Sequence, residues 1–311
     1  MERQRLKGLR PQAYEHPRDR MALDALSKTA GFDRLVSRLN EWSFDRLLRV
    51  QLTGSYLRAT ADSFPKVYKL LREACQILDA PCSPDLYIAP GLLNSFTSCV
   101  SDPLIVVTSA AIDLLTEDEL LFVIAHEMGH IKSGHVLYYQ IAEIVPNLAE
   151  MMGTVGGLIG TGLEIALLHW KRMSEFTADR AGLLACQDAD IALRTMMKLA
   201  GLPTSYYQSI NTQDFIEQAR CFESMSSDKL NLIAKALSTM GATHPWTVMR
   251  AQQLLLWAES PEYARALESP GAAPEQERAR FCTECGRSLK TARAFCPSCG
   301  APLKLAQATV Q

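Results

Sequence analysis

Thr116-Glu-Asp-Glu-Leu-Leu-Phe-Val-Ile-Ala-His126-Glu127-Met-Gly-His130-Ile-Lys-Ser-Gly134 is the stretch that decides the fold. Thr116, with Glu119 three residues on, spells a capping box. Acidic residues crowd the first turn, where the helix dipole favours them. Leu120, Leu121, Val123, Ile124 and Ala125 follow as a largely apolar run, which marks a helix buried in a core. Gly134 offers the stop. On such a helix His126 and His130 lie one turn apart on one face, so both imidazoles can hold one metal ion. Glu127 points slightly aside, toward a water rather than the metal. The HExxH spacing is that of a hydrolytic zinc site. Two core histidines satisfied by their neighbours are the alternative.

A catalytic zinc keeps three protein ligands and leaves one place for water. Ser174-Glu175-Phe-Thr-Ala-Asp179 supplies two more carboxylates on one helical face. One can ligate the metal, and the other can hydrogen-bond a ligand histidine from behind, fixing its tautomer. An ordinary charged helix face, with Arg172 and Arg180 as partners, is the competing reading.

With these motifs the chain resembles a gluzincin zinc metallopeptidase of the family containing the CAAX prenyl endopeptidases and the bacterial heat-shock membrane proteases. The likeness spans roughly Pro84 to Arg250. It rests on Ala125-His-Glu-Met-Gly-His-Ile-Lys-Ser-Gly-His135, Ser174-Glu-Phe-Thr-Ala-Asp-Arg180, Thr243-His-Pro-Trp-Thr-Val-Met-Arg250, and Asn94-Ser95-Phe96 before the strand Leu104 to Thr108. The resemblance implies that His126, His130 and Glu175 bind zinc, that Glu127 is the general base and that Asp179 supports His126. It implies that His244 and Arg250 stand near the substrate cleft, and that Asn94 lies on an edge strand and binds substrate backbone. Ser95 stands where the family usually has Ala, and Ser174 or Met173 where it often has Arg; these departures bear on substrate contacts. His244 is a candidate for oxyanion stabilisation, or simply a His-Pro turn opening a helix. His135, beyond the helix stop, is expected to be structural or exposed rather than a ligand.

The chemistry agrees with the likeness. Zinc lowers the pKa of water toward neutrality and polarises a carbonyl. Glu127 would take the proton and pass it to the leaving amine. The polypeptide substrate is expected to bind extended, as a strand added to an exposed sheet edge.

A second metal site closes the sequence. Phe281-Cys282-Thr-Glu-Cys285-Gly and Phe295-Cys296-Pro-Ser-Cys299-Gly are near-copies of one knuckle. Four thiolates at this spacing make a structural zinc ribbon, whose folding energy comes from the metal; a free redox pair is the alternative. Two zinc ions are therefore expected, one catalytic and one structural. The remaining five of the nine cysteines have no ligand spacing and read as small apolar side chains. Nine cysteines, four in a metal-like array, suit a reducing compartment.

The expected organisation is an N-terminal helical region (1–62) packing on the catalytic domain (63–268), a linker (269–280), the ribbon (281–303) and a tail (304–311). The fold class is mainly α with a small β-sheet. Strands are expected at Leu86 to Ile88 and Leu104 to Thr108, and helices at Phe64 to Leu78 and near 189–200, 212–221, 228–240 and 246–268. The N-terminal helices, or Gly153 to Gly162, could cover the cleft until a partner moves them, which would make the enzyme latent.

The 311 residues carry a net charge of −2 with 48% apolar and 21% charged residues, the composition of a globular domain without general attraction for nucleic acid or anionic lipid. The first residues lack the apolar core of a signal peptide. Met151 to Leu168 is apolar and glycine-rich, but a single crossing would part His130 from Glu175 and two would need about 40 apolar residues. Membrane insertion is therefore not expected; a cytoplasmic location is, with the glycine-rich helix either packed inside the domain or touching a membrane surface. The ribbon is expected to hold a protein partner, and no nucleic-acid partner is expected. A non-catalytic scaffold using the ribbon for protein or nucleic acid is the alternative, though a scaffold has no use for Glu127.

Overall fold

The computed structural model describes residues 3–28, 44–80, 83–151, 153–224 and 246–268, with the backbone of 280–281 and 288–289. Its elements run α1 (Pro17–Ser27), α2 (Phe44–Ser55), β1 (Leu57–Ala59), α3 (Pro65–Ile77), β2 (Asp85–Ala89), β3 (Ser95–Ser98), β4 (Leu104–Thr108), α4 (Ser109–Leu114), α5 (Glu117–Ser133), α6 (Val136–Met151), α7 (Gly153–Cys186), α8 (Ala189–Leu199), α9 (Thr212–Ser224), α10 (Thr247–Ala258), α11 (Pro261–Glu268), β5 (Arg280–Phe281) and β6 (Ser288–Leu289). The fold is α+β: mostly helix around a four-stranded mixed sheet of order β1-β2-β4-β3. β2 and β4 are parallel, while β1 and β3 run antiparallel on the two edges.

Leu-Ile-Val-Val-Thr in β4 is buried along its whole length. Its side chains alternate between two faces. Ile105 and Val107 point into the main core with α3, α5, α7 and α8, whereas Leu104 and Val106 join Tyr87, Ala89 and Cys99 under Leu48, Leu52 and Tyr56 of α2 and the residue after it. α2 is also tied down by the carboxylate of Asp45, which accepts from the backbone of Val100 and from Gln140 Nε2.

The N-terminal residues belong to the same interior. Leu6 (0% exposed), Leu9 and Tyr14 sit in the main core. Each such buried side chain is worth about 1.5–3 kcal/mol. Ala22 and Leu26 of α1 pack with Tyr138, Leu167, Trp170 and Phe176 in a second cluster between α6 and α7.

Several expectations meet a different structure. The segment 246–268 is two helices, because Ser260-Pro261 interrupts the apolar period and Pro261 opens a new first turn. The glycine-rich stretch runs on into the Glu175 segment, since α7 is continuous over 34 residues. The helix expected near 228–240 lies outside the described residues. Among the described residues no helix is long and apolar enough to cross a membrane.

Candidate active site

α5 begins as its sequence dictates. Thr116 Oγ1 accepts from the Glu119 amide, the Glu119 carboxylate accepts from the Thr116 amide, and Gly134 ends the helix at φ 75°. The motif helix then lies very close to α7. A Cβ on Gly129 would stand 2.6 Å from that of Ala181, so only glycine permits this approach. The closeness brings the Glu175 carboxylate to the histidines.

The three donor groups converge. His126 Nε2 and His130 Nε2 are 3.2 Å apart. Glu175 Oε2 lies 3.6 Å from the first and Oε1 3.5 Å from the second. Ligand atoms about 2.0–2.2 Å from a tetrahedral ion stand about 3.3–3.6 Å from one another. The observed spacings are in or close to that range, with a different carboxylate oxygen nearest to each ring.

The hydrogen bonds behind the rings assign their tautomers. His126 Nδ1 donates to Asp179 Oδ1 at 3.0 Å, leaving a lone pair on Nε2. Asp19 Oδ2 sits 3.1 Å from His135 Nε2, which makes that nitrogen the donor. His135 Nδ1 is then an acceptor, and His130 Nδ1 donates to it at 2.9 Å. The lone pair of His130 is thus also on Nε2. Two lone pairs facing each other at this distance repel unless a cation lies between them. The donor set therefore fits a metal ion.

Electrostatics separates the two rings. Burial pushes the His130 imidazole down to about 3, assisted by nearby His126 and His135 against the pull of Glu175, so it stays neutral. Burial also opposes charge on His126, but the bond to Asp179 and the charges of Asp179 and Glu175 outweigh it and raise that ring. Asp179 itself is lowered despite burial, because Arg250 pairs with it. Arg250 Nε and Nη2 reach Asp179 at 2.8 and 2.6 Å, and Nη1 lies 3.3 Å from Glu175. Tyr139 donates to Glu175 Oε1 at 2.6 Å. Burial first, then the charge of Glu175, hold that phenol protonated.

Glu127 stands beside the triad, and Ser95 Oγ donates to its Oε1 at 2.6 Å. Both line a cleft of about 240 Å³ that also exposes His126, His130, Glu175 and β3. β3 is an edge of the sheet, and its Asn94 end is fixed by hydrogen bonds with Thr108.

The structure thus brings together His126, His130, Glu175, Glu127, Asp179, Asn94 and Arg250. Arg250 lines the cleft, but its three nitrogens face carboxylates. His244 and the cysteines Cys282, Cys285, Cys296 and Cys299 lie outside the described residues. His135, 2% exposed, lies against His130. Sequence reasoning missed Asp19 and Tyr139, and it placed Ser95 at substrate contacts rather than on Glu127. Asp19 is 1% exposed and also accepts from Trp170 Nε1 at 3.0 Å and Thr177 Oγ1 at 2.6 Å. No spacing signals it, since it arrives from the far end of the chain.

The profile of peptidase family M48 matches residues 63–258, and that of a zinc-ribbon domain matches 279–303. The plastoglobule-localized metallopeptidase 48 of Arabidopsis thaliana, a chloroplastic protein, is 32% identical over 84% of this chain and 77% of its own. A protease HtpX homolog of Nostoc is 26% identical over 61% of this chain and 73% of its own. A second, from Methanosarcina acetivorans, is 25% identical over 48% and 60%. No solved structure gives a significant match. The extent of these matches and the converging donors lead to one conclusion: the chain belongs to peptidase family M48 and is a zinc-dependent endopeptidase with a zinc-ribbon domain.

Proposed function

We propose that His126, His130 and Glu175 hold one zinc ion and that Glu127 is the general base of peptide-bond hydrolysis. The observation that carries this is the convergence of two imidazole nitrogens and one carboxylate within 4.8 Å of one another, with a second carboxylate beside them at the wall of a cleft. A bound zinc supplies the Lewis acidity that activates water and polarises the scissile carbonyl. Glu127 takes the proton of the attacking water and hands it to the leaving amine. Ser95 fixes the rotation of that carboxylate. Asp179 holds His126, Arg250 holds Asp179 and Glu175 in place, and Tyr139 keeps Glu175 aimed at the histidines.

The substrate segment lies extended along the free edge of β3, with Asn94 contacting its backbone. His244 serves the oxyanion. Cys282, Cys285, Cys296 and Cys299 close a second, structural zinc site, giving two ions per chain. The ribbon, beyond a linker at 269–280, docks a protein partner rather than nucleic acid. The location in this reading is cytoplasmic, free or at a membrane surface.

Hydrolysis of casein and quenched peptides, with and without chelator and in Glu127→Gln, tests this reading. Zinc-dependent cleavage lost in the variant is expected. Chelator-insensitive cleavage, or equal activity in Glu127→Gln, overturns the assignment of the zinc and of the general base.

A further inference from the structure

One charged group in the cleft has no part in the chemistry above. Lys171 stands one turn before Glu175 on α7, is only 9% exposed and forms part of the cleft wall. Its ammonium lies 4.6 Å from the centre of the Tyr139 ring. Among the described residues no carboxylate comes within ion-pair distance of it. Every other buried cation at the centre is matched: Arg250 by Asp179 and Glu175, and, farther off, Lys198 by Glu119 at 2.6 Å. Glu143 lines the same cleft, exposed, without pairing to Lys171.

A nearly buried ammonium without a counter-charge is costly. Its contact with the tyrosine face returns only about 0.5–2 kcal/mol. The centre does not call for this charge either. A divalent ion together with Arg250 already balances Glu127, Glu175 and Asp179. The positive charge is therefore surplus until something anionic enters the cleft, and what enters is a peptide. Resting on the peptidase reading, we propose that Lys171 is a substrate-binding residue that pairs with a carboxylate of the bound polypeptide, so that the cleft selects segments carrying Asp or Glu close to the scissile bond.

The test uses full-length, zinc-loaded protein and end-blocked, quenched peptides that differ only by Glu or Gln. The varied position is walked through the three residues on either side of the cut. One Gln peptide also carries a free C-terminal carboxylate. Binding is read separately, by fluorescence anisotropy on Glu127→Gln, which does not need turnover. At one position the Glu peptide should bind and be cleaved about tenfold better than its Gln twin, mainly through KM. The preference should vanish in Lys171→Met, persist in Lys171→Arg and turn toward Lys-bearing peptides in Lys171→Glu.

Equal binding of the twins at every position in the parent protein overturns the proposal without any variant having to fold. Equal loss on both twins in Lys171→Met overturns it too, and moves the lysine to general electrostatics. A preference confined to the free C-terminal carboxylate overturns the side-chain assignment. If Glu and Gln peptides are discriminated in binding but nothing is hydrolysed, the lysine assignment stands and the peptidase reading falls.

Discussion

Asp19→Asn asks whether α1 is part of the catalytic machinery. The carboxylate accepts from Trp170, Thr177 and His135 in a site 1% exposed. An amide keeps one acceptor oxygen and turns an NH₂ toward a donor. One buried donor left unsatisfied costs about 1–3 kcal/mol, so the thermal midpoint should fall. The second effect is specific. Without the anion, His135 loses the partner that sets its tautomer, and His130 Nδ1 loses a defined acceptor. Outer partners of metal ligands are worth about 10–100-fold in affinity or activity, and one acting through a second ring belongs near about tenfold. Chelator titration with elemental analysis reads this directly: the zinc proposed at His126 and His130 should leave at a lower chelator concentration, with a parallel loss of kcat. If the variant melts earlier yet keeps its zinc and kcat within about twofold, Asp19 is a fold anchor only and the relay is wrong. The same geometry predicts that deleting residues 1–28 abolishes activity. A gain of activity would instead favour latency.

Gly129→Ala should cost about 1–3 kcal/mol by overpacking and should weaken zinc binding, because α5 and α7 must part; calorimetry with metal analysis checks both, and an unshifted melt refutes it. Tyr139→Phe removes the donor to Glu175 and should cost about 1–2 kcal/mol of transition-state or metal stabilisation, read as kcat/KM at saturating zinc. Arg250→Met leaves Asp179 and Glu175 buried without their cation and should destabilise by about 3–5 kcal/mol, measured by urea unfolding. Acid should act through His16, buried at the N-cap of α1, where Nδ1 accepts from the Arg18 amide. Burial, with the charge of Arg180, pushes this ring from 6.5 to about 4. The unfolded chain then binds the extra proton between those values, so its contribution is complete above 6.5 and is lost as pH falls toward 4. The loss is on the order of 3 kcal/mol. Unfolding at pH 5 and 7.5 should show it, and His16→Asn should flatten the difference; an unchanged slope assigns it elsewhere.

What the sequence disclosed depended on distance along the chain. The capping box, Gly134 and the two i, i+4 pairs act within one helix each, and local rules found them. Asp179 behind His126 was legible for the same reason once its helix was paired with HExxH. Asp19, Tyr139 and Ser95 act across elements. Their side chains carry no pattern that distinguishes them from any buried Asp, Tyr or Ser. Of the two expectations for His135, structural or exposed, the structure shows the structural one: α6 starts at Val136 and the ring is buried against Trp170. β3 was implied only by the resemblance at Asn94, because Ser-Phe-Thr-Ser has no apolar alternation, and β1 escaped because three residues are too few to show a period.

The brevity of β3 sets a limit on what can be digested. Four residues span about 13 Å and offer only a couple of main-chain donors and acceptors along the free edge. A polypeptide gripped there must bring unspent amides and carbonyls over a comparably short reach. Helices and internal strands have none to give, so intact domains should pass by uncut. On the proposed strand pairing, hinges, frayed ends and unfolded stretches are the segments expected to be cut, and a folded test protein should resist until it is unfolded.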